Sequence, residues 1–274
     1  MKAVRRLSGR SSRLRDGRFV VEGPQSVREA VLAQQAAVAD RAPDVVVELY
    51  ATAEAAARHR EILDVAAESG VRLTLATPEV LAAMVDTVTP QGLVAVCRPV
   101  DVTLDDVVAA RPRLVAVLAQ VRDPGNAGTV IRAADAAGAD AVILTDSCVD
   151  VHNPKCVRAT AGSLFHLPIV TGVGLTVAVA AIRAAGLAVY AADGAGRTDL
   201  DDLLDRARPG TAGLAGPAGW VFGNEAWGLS DSDRALADAV VRVPIHGLAE
   251  SLNLAMAATI CLYASARAQR RPTG

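Results

Sequence analysis

The chain has 274 residues, of which 51% are hydrophobic, 21% charged and 3% aromatic. This length predicts about two domains and allows a large hydrophobic core. The apolar content excludes a disordered chain, and 22 Gly, 13 Pro and 4 Cys exclude collagen-like and disulfide-scaffold proteins. The longest apolar runs fall well short of the roughly 18 residues of a membrane span. We therefore expect no transmembrane helix, no membrane partner and a cytoplasmic location.

Charge is balanced overall but concentrated at the N-terminus. The formal net charge is −2, whereas residues 1–18 carry seven Lys and Arg against one Asp, a net +6. Such an arm can bind phosphates, because each contact releases condensed counterions. A frayed, solvated terminus explains the same composition, and the two interpretations remain open at this point.

The cysteines and histidines give no metal-binding pattern. The chain has four of each, with no CxxC pair and no HExxH motif. This predicts reduced thiols and no metal site.

Hydrophobic periodicity predicts alternating helices and strands in the first half. The predicted elements are a helix over 26–39, a strand over 44–50, a helix over 52–69, a strand over 71–75, a short helix over 77–85 and a strand over 93–97. Residues 98–113, which contain two prolines and several acidic residues, are interpreted as a linker.

The second half repeats the alternation and predicts a parallel α/β sheet. Strands are predicted over 114–119, 141–144, 188–191, 219–222 and 239–243, with helices around 129–137, near residue 182 and over 251–269. Ligands of such sheets bind beyond the carboxyl ends of the strands. The loop after the first strand has only Gly125 and Gly128, with no G-x-G-x-x-G and no Walker lysine, so nucleotide-cofactor classes are disfavoured.

Three motifs follow predicted strands. They are QVRDPGNAGTVIR at 120–132, VFGNEAWGL at 221–229 and VPIHGLAESLNLA at 243–255. Their N-x5-R, G-x-E-x-x-G and P-x6-S-L-N patterns, in this order, resemble the SpoU (TrmH-like) family of S-adenosylmethionine-dependent RNA ribose 2′-O-methyltransferases. Residues 19–24, FVVEGP, resemble the start of that family's ribosomal-protein-like substrate-binding domain.

The resemblance implies roles for nine residues. Those implied in catalysis are Arg132, Asn126, Glu225, Ser251 and Asn253. Those implied in cofactor binding are Gly223, Val243, Ile245 and Leu252. Since a guanidinium stays protonated above pH 12, Arg132 is more easily a stabiliser of the developing alkoxide than a general base, and both roles remain open. In isolation, these motifs would also fit helix caps and a tight turn.

The resemblance also implies an architecture. Residues 1–105 would form a smaller α/β RNA-binding domain, and residues 106–274 a parallel-sheet methyltransferase domain with a deep trefoil knot. The implied cofactor is S-adenosylmethionine without a metal, and the implied partners are RNA and a second copy in a homodimer, with no DNA. Ribosomal RNA is the favoured target. The alternatives are transfer RNA, a non-catalytic RNA-binding protein of the same fold and, third, an NAD-dependent oxidoreductase.

Overall fold

A computed structural model describes residues 1–207 and 213–270 of the chain. They form two compact units: residues 1–100 with 150–166, and the rest of the chain from residue 101. The predicted division at residues 105 and 106 lies near this change of unit. That division does not include the return of residues 150–166 to the first unit.

The first hundred residues form a small mixed α/β unit. Their elements are α1 (Lys2–Arg6), α2 (Arg10–Asp16), β1 (Phe19–Glu22), α3 (Pro24–Asp40), β2 (Val46–Ala51), α4 (Ala53–Arg58), α5 (Arg60–Glu68), β3 (Leu73–Leu75), α6 (Pro78–Ala82) and β4 (Leu93–Cys97). The sheet order is β1-β4-β2-β3, with β4 antiparallel to both of its neighbours and β2 parallel to β3. Strands β1 and β4 are buried along their whole length.

The N-terminal arm is folded, so its interpretation as a frayed terminus is wrong. Arg13 is 5% exposed and donates to Asp150 at 2.6 and 2.9 Å and to the carbonyl of Leu7 at 2.9 Å. Four of the seven cations form ion pairs: Arg5–Asp86, Arg13–Asp150, Arg15–Asp16 and Arg18–Glu48. The arm therefore contributes to the stability of the first unit. Four of its seven positive charges are paired with carboxylates there.

The second half contributes a larger sheet. From residue 101 onward the elements are α7 (Leu104–Ala109), β5 (Leu114–Leu118), α8 (Pro124–Ala137), β6 (Ala141–Thr145), α9 (Pro154–Thr160), β7 (Ile169–Val173), α10 (Leu175–Ala184), β8 (Ala188–Ala192), β9 (Thr198–Asp199), α11 (Leu200–Arg206), β10 (Ala218–Phe222), α12 (Asp231–Arg234), β11 (Ala239–Arg242) and α13 (Leu254–Gln269). Helix α9 belongs to the first unit and packs against β1. The other elements form the second unit.

The sheet of the second unit is parallel throughout its described strands. Its seven strands run in the order β7-β6-β5-β10-β8-β11-β9. Strands β5, β6 and β10 are buried at every position, as expected when both faces of a parallel sheet are covered. Helices α8 and α13 pack against each other and against β5. The α/β class predicted from the sequence is confirmed.

Several predicted elements differ from the structure in their bounds, and three of the differences have a clear local cause. The predicted linker contains α7, whose Thr103 and Asp106 form a reciprocal capping box that the Pro-rich flanks obscured. The predicted helix over 52–69 is interrupted at His59, which separates α4 from α5. Helix α13 begins at Leu254, three residues later than predicted, because Asn253 caps it.

The described residues give two further findings. The four cysteines, all within the described residues, are thiols rather than disulfides. Among residues 1–207 and 213–270, no helix is long and apolar enough to cross a membrane.

Candidate active site

The predicted site residues follow neighbouring strands of the larger sheet. Strands β5, β10, β8 and β11 are consecutive in the sheet and parallel, so their carboxyl ends lie on one edge. The loops that leave these strands begin at residues 119, 223, 193 and 243. Three of those loops carry the three sequence motifs.

The first motif is a short loop that leads into α8. Gln120 follows β5 with a φ of +58°, a left-handed conformation that non-glycine residues rarely adopt. Asp123 caps the helix by accepting from the backbone N–H of Asn126 at 2.8 Å, and Pro124 occupies the first helical position. Asn126 therefore lies in the first turn of α8 rather than at its cap.

The second motif is a closed loop after β10. The backbones of Asn224 and Gly228 are paired by two hydrogen bonds of 2.9 and 3.0 Å. A Cβ on Gly223 would lie 2.5–2.7 Å from the backbone of Gly228 and Leu229, so only glycine fits there. The Asn224 side chain donates to the carbonyl of Gln120 at 2.7 Å, which fixes this loop to the first motif.

The third motif ends at the cap of α13. The Oδ1 of Asn253 accepts from the backbone N–H groups of Ala255 and Met256 at 2.9 and 3.4 Å. The side-chain oxygen of Asn253 therefore serves as the cap of α13. Its side-chain NH2 group remains available to donate to another residue. Ser251 lies outside the helix and is exposed.

Asn126, Glu225 and Asn253 form one hydrogen-bonded network that joins the three motifs. Asn253 Nδ2 donates to Asn126 Oδ1 at 3.1 Å, and Asn126 Nδ2 donates to Glu225 Oε1 at 3.2 Å. Glu225 also accepts from the backbone N–H groups of Asp123 at 3.1 Å and Arg122 at 3.4 Å. The carboxylate therefore organises the start of α8, a role that sequence spacing alone left open.

A cavity of about 370 Å³ adjoins this network. All four residues expected to bind the cofactor line it, together with Glu225 and Ser251; those four are Gly223, Val243, Ile245 and Leu252. Its size lies within the range of small-molecule sites. The structure therefore places the residues predicted for catalysis, except Arg132, beside those predicted for cofactor binding.

The charges that line the cavity fit a cationic ligand without phosphate. Asp193, Glu225 and Glu250 contribute carboxylates, and Arg234 is the cation among the lining residues. Hydrogen bonds to Asp231 and Asp193 raise the pKa of Arg234, which remains paired to both. S-adenosylmethionine carries a sulfonium and an ammonium group, and this lining suits both. In the described part of the chain, no group of His, Cys, Asp and Glu is arranged to hold a metal ion.

Arg132 lies on α8, away from the network. It is exposed, and within residues 1–207 and 213–270 its guanidinium has no hydrogen bond or ion pair. It lies six positions after Asn126, which is about 240° around the same helix, and the two side chains form no hydrogen bond with each other. Within the described residues of one chain, Arg132 therefore does not join the network of Asn126, Glu225 and Asn253.

Four residues that build the site were not predicted from the sequence. Asp123 and Asn224 fix the two loops, Asp193 pairs with Arg234, and Arg122 lies over the ring of Trp227 with its guanidinium carbon 5.3 Å from the centroid. A signal existed for Asp123, because an acidic residue before Pro is a frequent start of a helix. The other three depend on contacts between distant segments.

Comparisons with known proteins agree with this arrangement along both units. The family described as SpoU rRNA Methylase matches residues 113–263, and RNA 2′-O ribose methyltransferase substrate binding matches residues 20–103. The 23S rRNA (guanosine(2553)-2′-O)-methyltransferase RlmP of Bacillus subtilis is 32% identical over 263 residues, covering 96% of this chain and 94% of its own.

Two solved structures that contain AdoMet have the same fold. The SpoU methyltransferase AviRb from Streptomyces viridochromogenes is 31% identical with a TM-score of 0.77, over 97% of this chain and 96% of its own. An rRNA methyltransferase from Sinorhizobium meliloti is 28% identical with a TM-score of 0.77, and the match covers 97% of this chain and 93% of its own.

The fold and the site define an RNA methyltransferase of two units, in which residues 20–103 match the substrate-binding model and the larger α/β unit carries the cavity. The chain belongs to the SpoU rRNA methylase family.

Proposed function

We propose that this protein transfers a methyl group from S-adenosylmethionine to a ribose 2′-hydroxyl of ribosomal RNA. The observation that carries the proposal is the network of Asn126, Glu225 and Asn253, which joins all three family motifs beside the cavity. The relatives named as 23S rRNA 2′-O-methyltransferases support the substrate class, since RlmP matches along both units.

The residues divide into three tasks. The lining residues Gly223, Val243, Ile245 and Leu252 hold the cofactor, which supplies an electrophilic methyl group when bound. Glu225, Asn126 and Asn253 hold the loops in register, so that the reacting groups are oriented before the reaction. Ser251 lies at the mouth as a polar contact for the substrate.

Arg132 is assigned to the reacting oxygen. As the ribose 2′-hydroxyl loses its proton, negative charge develops on its oxygen, and a guanidinium stabilises such charge. The exposed and unpaired state of Arg132 in the described chain leaves its donors available for RNA. The RNA is bound by the domain predicted from the sequence over residues 1–105.

The protein acts as a homodimer in this proposal. Met256, Ile260 and Tyr263 of α13 are exposed, and their spacing places them on one face of that helix. A second copy covers this face of α13, the helix that packs against α8. Met256→Glu and Ile260→Glu should convert dimers into monomers in light scattering, whereas the same change at exposed Val177 on α10 should not. A wild-type protein that is monomeric at micromolar concentration would contradict the dimer.

We also propose that the chain is knotted and located in the cytoplasm. After β11, residues 243–253 cross back past β8 and β10 to α13, which packs against α8. A trefoil knot requires, in addition, that this segment passes through a loop formed by an earlier part of the chain. A crystal structure in which that segment lies outside every loop would contradict the knot.

The test of the function combines binding and transfer. Isothermal titration should detect S-adenosylmethionine and not NAD, which excludes the oxidoreductase. Methyl-labelled S-adenosylmethionine should label unmodified 23S rRNA transcribed in vitro and leave a transfer RNA pool unlabelled. If only transfer RNA is labelled, then transfer RNA and not ribosomal RNA is the substrate. If the protein binds RNA but transfers no methyl group, it is a non-catalytic RNA-binding protein of the same fold.

A further inference from the structure

We propose that Trp227 and Arg122 form a stacking platform for an unpaired RNA base next to the reacting ribose. The proposal rests on the proposed function and adds a substrate subsite to it. The platform is the indole ring of Trp227 with the guanidinium of Arg122 above it, 5.3 Å from the ring centroid.

The two tryptophans of the chain have opposite environments. Trp220 is fully buried on β10 and donates from its indole N–H to Ser265 Oγ at 2.8 Å. Trp227 is 55% exposed and lines the proposed cofactor cavity. Burying a tryptophan contributes substantially to stability, so an exposed one beside a functional cavity indicates an interaction with a ligand.

The backbone segments that carry the platform are tied to the network. Glu225 accepts from the backbone N–H of Arg122 at 3.4 Å and lies two residues before Trp227. The Asn224–Gly228 pairing closes the loop that carries the indole. Both partners of the platform are therefore positioned by the residues that position Asn126.

RNA is the occupant that this chemistry favours. Proteins recognise single-stranded RNA by stacking unpaired bases on aromatic rings and on guanidinium planes. Arg122 covers part of one side of the indole, and more than half of the Trp227 side chain remains accessible. Within the described chain Arg122 has no carboxylate partner for its side chain, so its charge remains available for a phosphate.

Tryptophan fluorescence tests the contact directly. Adding unmodified 23S rRNA should quench the emission of the wild-type protein, because a stacked base quenches an exposed indole. In Trp227→Phe, which retains only the buried Trp220, the quenching should disappear while filter binding still detects RNA. Quenching that persists in Trp227→Phe, or that S-adenosylmethionine alone produces in full, would overturn the proposal.

Kinetics supplies the second test. In single-turnover methylation, Trp227→Ala should raise the RNA concentration at half-maximal rate by about five- to one-hundred-fold, the range of one lost base stack. Trp227→Phe should restore most of that loss, and the loss in Trp227→Ala should persist when S-adenosylmethionine is saturating. Val177→Ala, which removes an exposed apolar side chain from α10, is the matched control and should behave as wild type.

The proposed function and the stacking platform can be refuted independently of each other. If the wild-type protein does not methylate 23S rRNA, the proposed function is wrong. If it does, and Trp227→Ala leaves the half-maximal RNA concentration unchanged, the stacking platform alone is wrong.

Discussion

The side-chain amide of Asn253 donates to Oδ1 of Asn126 at 3.1 Å, joining residues 127 positions apart. One end of each side chain has a second task, since Asn253 Oδ1 caps α13 and Asn126 Nδ2 donates to Glu225. Neither amide can rotate without losing a partner. The pair therefore fixes the start of α8 relative to the start of α13.

Asn253→Asp should separate the two tasks of this residue. Aspartate keeps the carboxylate oxygen that caps α13, so the midpoint of thermal unfolding should change little. It removes the donor to Asn126 and places a negative charge beside Asn126 Oδ1, so the single-turnover rate should fall by about tenfold or more. Asn253→Ala loses the cap as well and should be less stable by about 1 kcal/mol. A full methylation rate in Asn253→Asp would show that the pair is only structural.

Gly223 should tolerate no side chain, for a reason internal to the loop. A Cβ would lie 2.5–2.7 Å from the backbone of Gly228 and Leu229, so Gly223→Ala must displace that segment. We expect a loss of S-adenosylmethionine affinity measured by isothermal titration, with the far-ultraviolet circular dichroism retained. Gly247→Ala is the matched control, since no atom lies within 4 Å of its added Cβ. Equal affinity in Gly223→Ala and wild type would remove this loop from the cofactor site.

Arg132 should affect the chemical step and not cofactor binding. Because it is absent from the cavity lining, Arg132→Ala should leave S-adenosylmethionine affinity unchanged. The single-turnover rate with saturating RNA should fall about 10²-fold or more, the scale of a lost transition-state donor. Lysine should rescue poorly, because a point charge does not reproduce the planar guanidinium.

Exposed Arg206 on α11 provides the matched control, and Arg206→Ala should retain the wild-type rate. A near wild-type rate in Arg132→Ala would make that residue a surface or RNA-docking group. It would then have no part in stabilising the reacting oxygen.

The basic arm should contribute to stability through one of its arginines. Arg13→Ala leaves Asp150, which is 15% exposed, without its cation, and breaking such a pair costs about 3–5 kcal/mol. Urea denaturation should show this loss in Arg13→Ala and almost none in Arg10→Ala, whose side chain is exposed on the same helix. Similar midpoints for the two variants would contradict the structural role of Arg13.

The same arm also retains cations for RNA. Lys2, Arg6 and Arg10 are exposed and have no ion pair within the described residues. Replacing the three by Gln should flatten the dependence of the logarithm of RNA affinity on the logarithm of salt concentration, by about one unit for each phosphate that the arm no longer neutralises. Deleting residues 1–18 is a poor test, because it would also remove buried Arg13. An unchanged salt slope in the triple variant would exclude the arm from RNA binding.

Local patterns predicted much of this protein, and contacts between distant segments account for the rest. The strand over 93–97 matches β4 residue for residue, because a short apolar run between turn residues specifies a buried strand locally. The return of residues 150–166 to the first unit depends on contacts such as Arg13–Asp150, which no periodicity encodes. The motifs likewise named Asn126, Glu225 and Asn253, but only the fold shows that they bond to one another.

The position of the transferred methyl group tests the central claim most directly. Unmodified 23S rRNA is incubated with the protein and methyl-labelled S-adenosylmethionine, then hydrolysed in alkali, which cleaves only next to a free 2′-hydroxyl. The account predicts that the label is recovered in an alkali-resistant dinucleotide, which yields a 2′-O-methylnucleoside on enzymatic digestion. Label recovered in mononucleotides with a methylated base would contradict it.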